Sequence, residues 1–550
     1  MSVPASTDSE PATKESSPQE TDATVGEIEW KAGKQEIIIL VTLAFISLVV
    51  ALEATILVPA LPTLARALGG TSVETFWAGT SYLLANAVFV PFIGALSDIF
   101  GRRELLMASI LLFTLGAIIC CVAQSFEQLL PGRTIQGIGG GGISTMSLVI
   151  LTDIVPLRQR PKYQMFSLLS MGARSRRWAT GRWFDRSTYN LTANQWIFYL
   201  NFPICGVGLV VVPLTVRIKP PTQLSLVKNL SRVDWIGGAL FTASVSSFLI
   251  GLTWGGVQFS WASYQSWMPI LLGGIGIVAS LVYEKRVAAL PFLRLSVFSG
   301  PSSYIAFFGA TVQGLVLYGH LYYEPFYLAS VKGLTATMTG VVIMGVNLLL
   351  FPVTVVAGIT MSRRGTFLWA VRCGWAILTL GNGLLLMVGN TSVVGNVFIF
   401  LVASLGEGLL IPSLNLATQA IARSEDVAFA VSLYTFMRTF GMCLGVAISG
   451  VIFQNVMLRQ LRVLGLPDEI AADAESFVAS LNEMAPGEEK SAYISAYLQS
   501  FYGIFYAYLA LSAVCFLASF GIKHHDVNKK LDSEHRLGKN KKEEVQPPPS

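Results

Sequence analysis

Apolar residues in this chain run in long stretches separated by short polar punctuation. A bilayer core takes about 20 mainly apolar residues per crossing helix. Clear stretches of that kind lie near 37–58, 76–97, 104–123, 129–151, 196–216, 235–255, 267–283, 301–320, 338–361, 367–389, 393–415, 428–452 and 494–521. Each predicts a membrane-crossing helix, and together they predict an all-α polytopic membrane protein. A fourteenth candidate fits badly. Between Lys162 and Gln195 the chain reads "SMGARSRRWATGRWFDRSTYNLTAN" over Ser170 to Asn194, and an arginine at a helix centre costs about 2.5–3.5 kcal/mol on insertion scales. Arg174, Arg176, Arg177 and Arg182 together would resist insertion.

Composition agrees with a membrane class. Of 550 residues, 53% are hydrophobic and 13% charged, against roughly 25% charged in soluble domains, and the mean hydropathy is +0.59. The polar, acidic stretch ahead of the first apolar run lacks the make-up of a cleavable signal peptide, so none is expected. Both tails have the composition of disorder. The six cysteines lie inside apolar stretches and read as small hydrophobes, with neither a disulfide framework nor a metal site expected. A net charge of +5 follows the loops and does not point to nucleic acid.

Loop charge sets the expected orientation. Basic residues gather in "GRRE" (Gly101–Glu104), "RQRPK" (Arg158–Lys162), "RIKPP" with Lys228 and Arg232, "EKR" with Arg294, "SRRG" (Ser362–Gly365) and the C-terminal tail, while the alternate loops are nearly free of them. The positive-inside rule then puts both termini in the cytoplasm. That needs an even number of crossings, so something between Lys162 and Gln195 must cross. The sequons at Asn190 and Asn390 fall on the outer side and are glycosylation candidates.

"GALSDIFGRR" (Gly94–Arg103) links two apolar stretches through a tight basic turn. Its glycines allow close backbone approach, and Asp98 can cap the next helix or pair with Arg102 or Arg103. In this spacing the stretch resembles motif A of the major facilitator superfamily, so Gly94, Asp98, Gly101, Arg102 and Arg103 are expected to form a charge latch at the cytoplasmic gate. "ALEATILVPALPTL" (Ala51–Leu64) looks like the first-span motif of that superfamily's fourteen-span drug:proton antiporters, with Glu53 in place of an aspartate. "LLPGRTIQGIGGGG" (Leu129–Gly142) resembles motif B, whose buried arginine is Arg133 here, with a proton-relay role implied. "DWIGG" (Asp234–Gly238), "VKGLTATMTG" (Val331–Gly340) and "FMRTFGMCLGVAISGVIFQN" (Phe436–Asn455) look like fungal members that export toxins or drugs.

The family's motif C, G-x-x-x-G-P-x-x-G-G, is missing from the fifth span. In its place stands "RSRRWATGRW". The codons for Trp178 to Phe184, read one nucleotide later, admit Gly-Pro-Leu-Val-Gly-Gly at the family's spacing. Two readings stay open: a reading-frame slip between about Met171 and Phe184, or a divergent stretch that disables the span.

The resemblance implies a layout: a cytoplasmic tail at 1–36, a six-helix bundle at 37–216 with an anomalous fifth span at about 163–190, two linking spans within 217–295, a second bundle at 296–522, and a basic cytoplasmic tail at 523–550. The bundles would be related by an axis along the membrane normal. The implied function is proton-coupled efflux of small amphipathic organic compounds by a monomer in the plasma membrane, with the vacuolar membrane as the alternative. Uptake by the same fold, or a non-transporting or nonfunctional membrane protein, are the competing readings. No cofactor is expected, and no enzyme constellation recurs at a recognisable spacing. "GIGGGG" (Gly137–Gly142) lacks the lysine and Ser/Thr of a phosphate loop and reads as helix packing.

An antiporter needs a carboxylate that exchanges protons with the two sides. Glu53 and Glu407, the latter mid-stretch between two glycines, are the proton-coupling candidates together with Arg133. Gln136, Gln313, Asn347, Asn415 and Arg438 are polar groups inside apolar stretches that could line a substrate cavity or bridge helices. His320 and Glu324 fall near the outer end of a stretch and read as interfacial.

Overall fold

The computed structural model describes residues 32–69, 72–164, 198–218, 226–255, 258–288 and 291–529; some side chains within helices, among them those of Leu52, 54–67 and Asn347, are also outside the description. Asn190, residues 1–31 and 530–550 of the tails, and nearly all of the anomalous fifth stretch lie outside the described residues.

The described chain is built from helices α1 (Lys34–Leu68), α2 (Ser72–Phe100), α3 (Arg102–Val122), α4 (Phe126–Ile154), α5 (Asn201–Thr215), α6 (Leu226–Ser231), α7 (Trp235–Trp254), α8 (Tyr264–Arg286), α9 (Pro301–Ser330), α10 (Ala336–Arg364), α11 (Leu368–Leu384), α12 (Val393–Ile421), α13 (Val427–Leu464), α14 (Ala474–Glu483) and α15 (Glu488–Ser519). Twelve of these regions are long and apolar enough to cross a membrane, and α5 is a shorter apolar helix. Each of the apolar stretches read from the sequence therefore finds its helix. The backbone of α1 continues past residue 58 to Leu68, and two more helices run at least as far beyond the hydropathy limit: α9 past residue 320 to Ser330, and α13 past 452 to Leu464. Hydropathy ends where polar residues begin, whereas α9 and α13 carry polar residues into packed interfaces.

Local chemistry sets the helix ends. Asp234, Ser263, Thr335 and Ser392 each accept a backbone N–H of the following first turn as N-caps. Gly365 and Gly465 close α10 and α13 in the left-handed conformation that glycine adopts without a Cβ penalty. Gly101, between α2 and α3, has φ of +104°. That value explains a glycine in the basic turn.

Helices α1 to α5 pack among themselves, α9 to α13 with α15 form a second group, and α7 pairs with α8. Glycines bring α4 close to its neighbours: a Cβ at Gly137 or Gly141 would strike the backbone of α2 at Tyr82 or Asn86, and one at Gly139 would strike α3 at Phe113. Such small-residue contacts are how helices approach within lipid, where burial itself gives no drive. Apolar side chains such as Leu111, Leu115, Val122, Leu272, Ile275 and Val278 point outward, as lipid contact requires.

The two groups meet along a seam in which α2 packs on α13 and α4 also touches α13. Helix α7 packs on both α2 and α13. Its rings fix the contact: Trp235 is edge-on to Phe92 at 5.8 Å, Phe241 meets Phe436 at 5.4 Å, and Phe248 stacks on Phe440 at 6.3 Å.

Candidate functional site

The first polar centre lies among α1, α2, α4 and α5. Glu53 and Arg133, 80 residues apart, form a buried ion pair. Arg133 also donates through Nε to the Ala78 carbonyl at 3.0 Å and through Nη1 to Gln136 Oε1 at 2.8 Å, and its guanidinium lies 4.6 Å from the centre of the Tyr82 ring. Asn201 donates to the second Glu53 oxygen at 2.7 Å. An arginine inside the bilayer is tolerated when it faces a polar interior with partners, and this one has a carboxylate, a carbonyl, an amide and a ring. Gln136 is thereby a hydrogen-bond partner of the paired arginine.

The second centre is mid-way along α9, α12 and α13. Gln313 donates to Glu407 Oε2 at 2.7 Å and accepts from Arg438 Nε at 3.0 Å. Gln313 and Glu407 are buried, Arg438 half-buried. The other Glu407 oxygen, Oε1, is buried with no hydrogen-bond partner. Charge and carboxyl are thus joined through a neutral amide, without a direct ion pair.

About two and three turns beyond Gln313 on α9 stand His320 and Glu324, whose Nδ1 and Oε1 are 3.9 Å apart. The sequence reads them as interfacial; the structure buries both, at 7% and 5% exposure, with the His320 ring edge-on to Tyr508 at 5.2 Å. The helix continues past them, so their side chains meet α15 instead of water.

A third group closes one face. Arg102 pairs with Asp98 across the basic turn, bonds Ser97, and reaches Asp153 at the end of α4 at 3.0 Å. Arg103 is half-buried beside it and takes no part in these bonds. Gly94 abuts α13, where a Cβ would collide with Ser432. On the same face Arg158 donates to the carbonyls of Ser362 (3.1 Å) and Arg363 (3.2 Å) and to Asn528 Oδ1 (3.1 Å). Ser362 donates to Gln159 Oε1 at 2.8 Å. Arg160 reaches Gln419 Oε1 at 2.8 Å, and burial pushes its guanidinium down to about 10, partly opposed by Asp153. Lys529 caps the end of α12 through the carbonyls of Ala420 (2.6 Å) and Ala422 (2.7 Å). Asn415 belongs to this latch face too, bonding Gln164 at 3.0 Å and Gln419 at 2.8 Å.

Among the sequence candidates, then, Glu53, Arg133 and Gln136 come together, Gln313, Glu407 and Arg438 come together, and Asn415 joins neither group. Asn390 is exposed after α11, beside Thr391, whose carbonyl accepts from Lys332. The sequence reading missed Asn201, Asp153 and the Arg158 ties. A lone asparagine in "YLNFP" and an aspartate in the last turn of α4 were the available signals. Among the described residues no group of three His, Cys, Asp or Glu converges as a metal site.

Residues 43–446 match the profile of the Major Facilitator Superfamily. The chain belongs to the Major Facilitator Superfamily. Among relatives of this transporter, "MFS transporter L2" of Phoma sp. is 36% identical over 92% of this chain and 85% of its own length. The "MFS efflux transporter aclA" of Aspergillus oryzae is 31% identical over 91% of each. The fold is that of a solved member, the proton:xylose symporter XylE bound to 6-bromo-6-deoxy-D-glucose, with a TM-score of 0.57, 14% identity, and coverage of 91% of this chain and 98% of that one. The protein is a multi-pass membrane transporter of the superfamily's fold and not an enzyme.

Proposed function

We propose that this transporter exports small amphipathic organic compounds in exchange for protons. The observation that carries the reading is Glu407: a carboxyl buried in mid-span, held through one oxygen by Gln313, with its other oxygen free of any partner. A carboxylate so placed is costly to ionise without a cation, and Arg438 reaches it only through the Gln313 amide. Protonation of Glu407 leaves Arg438 bonded to Gln313 alone; deprotonation draws the arginine and amide toward the acid. That difference is what lets proton binding bias a two-state transporter. The Glu53–Arg133 pair supplies a second acid, already neutralised.

The efflux name of the Aspergillus oryzae relative supports the direction. Basic loops on the latch face support a cytoplasmic assignment for it, with both termini inside, so the ties there close the route inward. The layout that goes with this reading has bundles at 37–216 and 296–522, linking spans between them, and a monomer in the plasma membrane.

The test is accumulation of a panel of fluorescent amphipathic dyes in everted vesicles whose lumen is made acidic. Glu407→Gln and Glu53→Gln should each abolish gradient-driven transport while the protein stays in the membrane. Unchanged proton-driven transport in both variants would remove the basis of the assignment.

A further inference from the structure

The paired helices α7 and α8 carry a pair of acids that the transport reading does not use. Asp234 caps α7: its Oδ1 accepts from Gly237 N–H at 2.9 Å and from the Tyr283 hydroxyl at 3.4 Å. Glu284, 4% exposed in the last turn of α8, accepts from Leu293 N–H at 3.4 Å through Oε2. The remaining oxygens, Asp234 Oδ2 and Glu284 Oε1, are both buried and have no hydrogen-bond partner. They converge on one point above Gly237, where an added Cβ would collide with each. The two carboxyl oxygens therefore face the same space.

Among the described residues no positive charge pairs with them. Tyr283 is the titratable side chain that α8 adds to the pair, and its hydroxyl already bonds Asp234. The segment after α8 contributes a backbone N–H at Leu293, and α2 contributes the Phe92 ring over Gly238. Lys285 and Arg286 are exposed, and among the described residues neither acid forms an ion pair. Two carboxylates facing each other with no cation between them repel when both are ionised. A single proton between the oxygens replaces that repulsion with a short charge-assisted O–H···O⁻ bond.

We propose that Asp234 and Glu284 form a proton-binding site in which one proton, taken from and returned to water at the latch face, is held between Oδ2 and Oε1. The bound proton ties the first turn of α7 to the last turn of α8. Because Trp235 and Phe241 at that end of α7 pack on Phe92 of α2 and Phe436 of α13, the site reports the pH of one face to the seam between the two helix groups. It does so separately from Glu53 and Glu407.

Infrared titration of the purified transporter in nanodiscs, without substrate, reads the proton directly and does not depend on transport direction or coupling. Wild type minus Glu284→Gln should show a protonated-carboxyl stretch at neutral pH that vanishes at alkaline pH, and wild type minus Asp234→Asn should show the same band. Both amides keep an acceptor for the N–H groups of Gly237 and Leu293. A third variant, Gly237→Ala, keeps both acids but drives a Cβ between them and should also lose the band. Carboxyl spectra unchanged from wild type in all three would overturn the proposal. So would loss of the wild-type band on adding Na⁺ or K⁺ at constant neutral pH, which would make the site a cation site.

Discussion

Asn201 on α5 holds one oxygen of Glu53 at 2.7 Å while Arg133 on α4 holds the other. The acid of α1 is therefore fixed by two helices at once, and the two bonds are unequal in kind. Removing the arginine leaves a buried charge unpaired, which costs about 3–5 kcal/mol. Removing the asparagine loses one hydrogen bond to a charged group, about 1.5–3 kcal/mol. Arg133→Leu should lower the melting temperature of the purified protein more than Asn201→Leu, and Glu53→Gln should partly restore the Arg133→Leu protein. The reverse ranking in thermal melts would contradict the pairing.

Gln313 stands between Glu407 and Arg438 and bonds both. Gln313→Leu leaves each without its bridge, a loss of at least one charged hydrogen bond. We expect initial dye efflux to fall about tenfold, equivalent to ~1.4 kcal/mol, at unchanged membrane abundance. A rate close to wild type would mean that the three residues are only packing partners.

Gly94 allows α2 to lie against Ser432 of α13. Gly94→Val should wedge the latch face open, making cysteines introduced near residue 432 more reactive to a membrane-impermeant thiol reagent. Ser432→Gly added to that variant should return reactivity toward wild type. Failure of the second change to compensate would show that the side-chain collision is not the cause.

The segment Ile522–Lys529 crosses the latch face, with Val527 buried, Asn528 on Arg158 and Lys529 on the end of α12. Burial, then Lys529, His524 and Lys523, hold the His525 imidazole below its usual value. A base whose docked value is depressed opposes docking once the free form takes a proton, so the docked segment is favoured above pH about 6.5 and weakened as pH falls below it. Hydrogen exchange at residues 522–529 should rise on acidification in the wild type and stay flat in His525→Gln. Equal pH dependence in both would place the titration elsewhere.

Much of this fold was legible because a crossing helix needs an apolar run of fixed length, and no partner is needed to see one. The basic turn was legible for a related reason: Gly101 and Arg102 act within a few residues of Asp98. What was hidden is what depends on distant segments. The sequence marks Glu53 and Arg133 as costly residues but cannot say that they neutralise each other across 80 positions. His320 and Glu324 look like interface residues because aromatics surround them, and only the packing of α15 shows that they are enclosed. Asp234 stands in the sequence only as part of "DWIGG", and the structure makes it a helix cap. Its second oxygen, turned toward Glu284, has no signature in one dimension.

The ring contacts of α7 have a mechanical consequence. Phe241 and Phe248 engage Phe436 and Phe440, successive turns of α13, so the two helices are geared. A rocking motion between the halves either carries α7 along with α13 or strips both contacts together, because a slide shorter than one helical pitch, about 5.4 Å, leaves rings without seats. In such a motion the helix that a layout diagram would draw as a tether would act as a ratchet tooth, favouring discrete stops over a continuous swing.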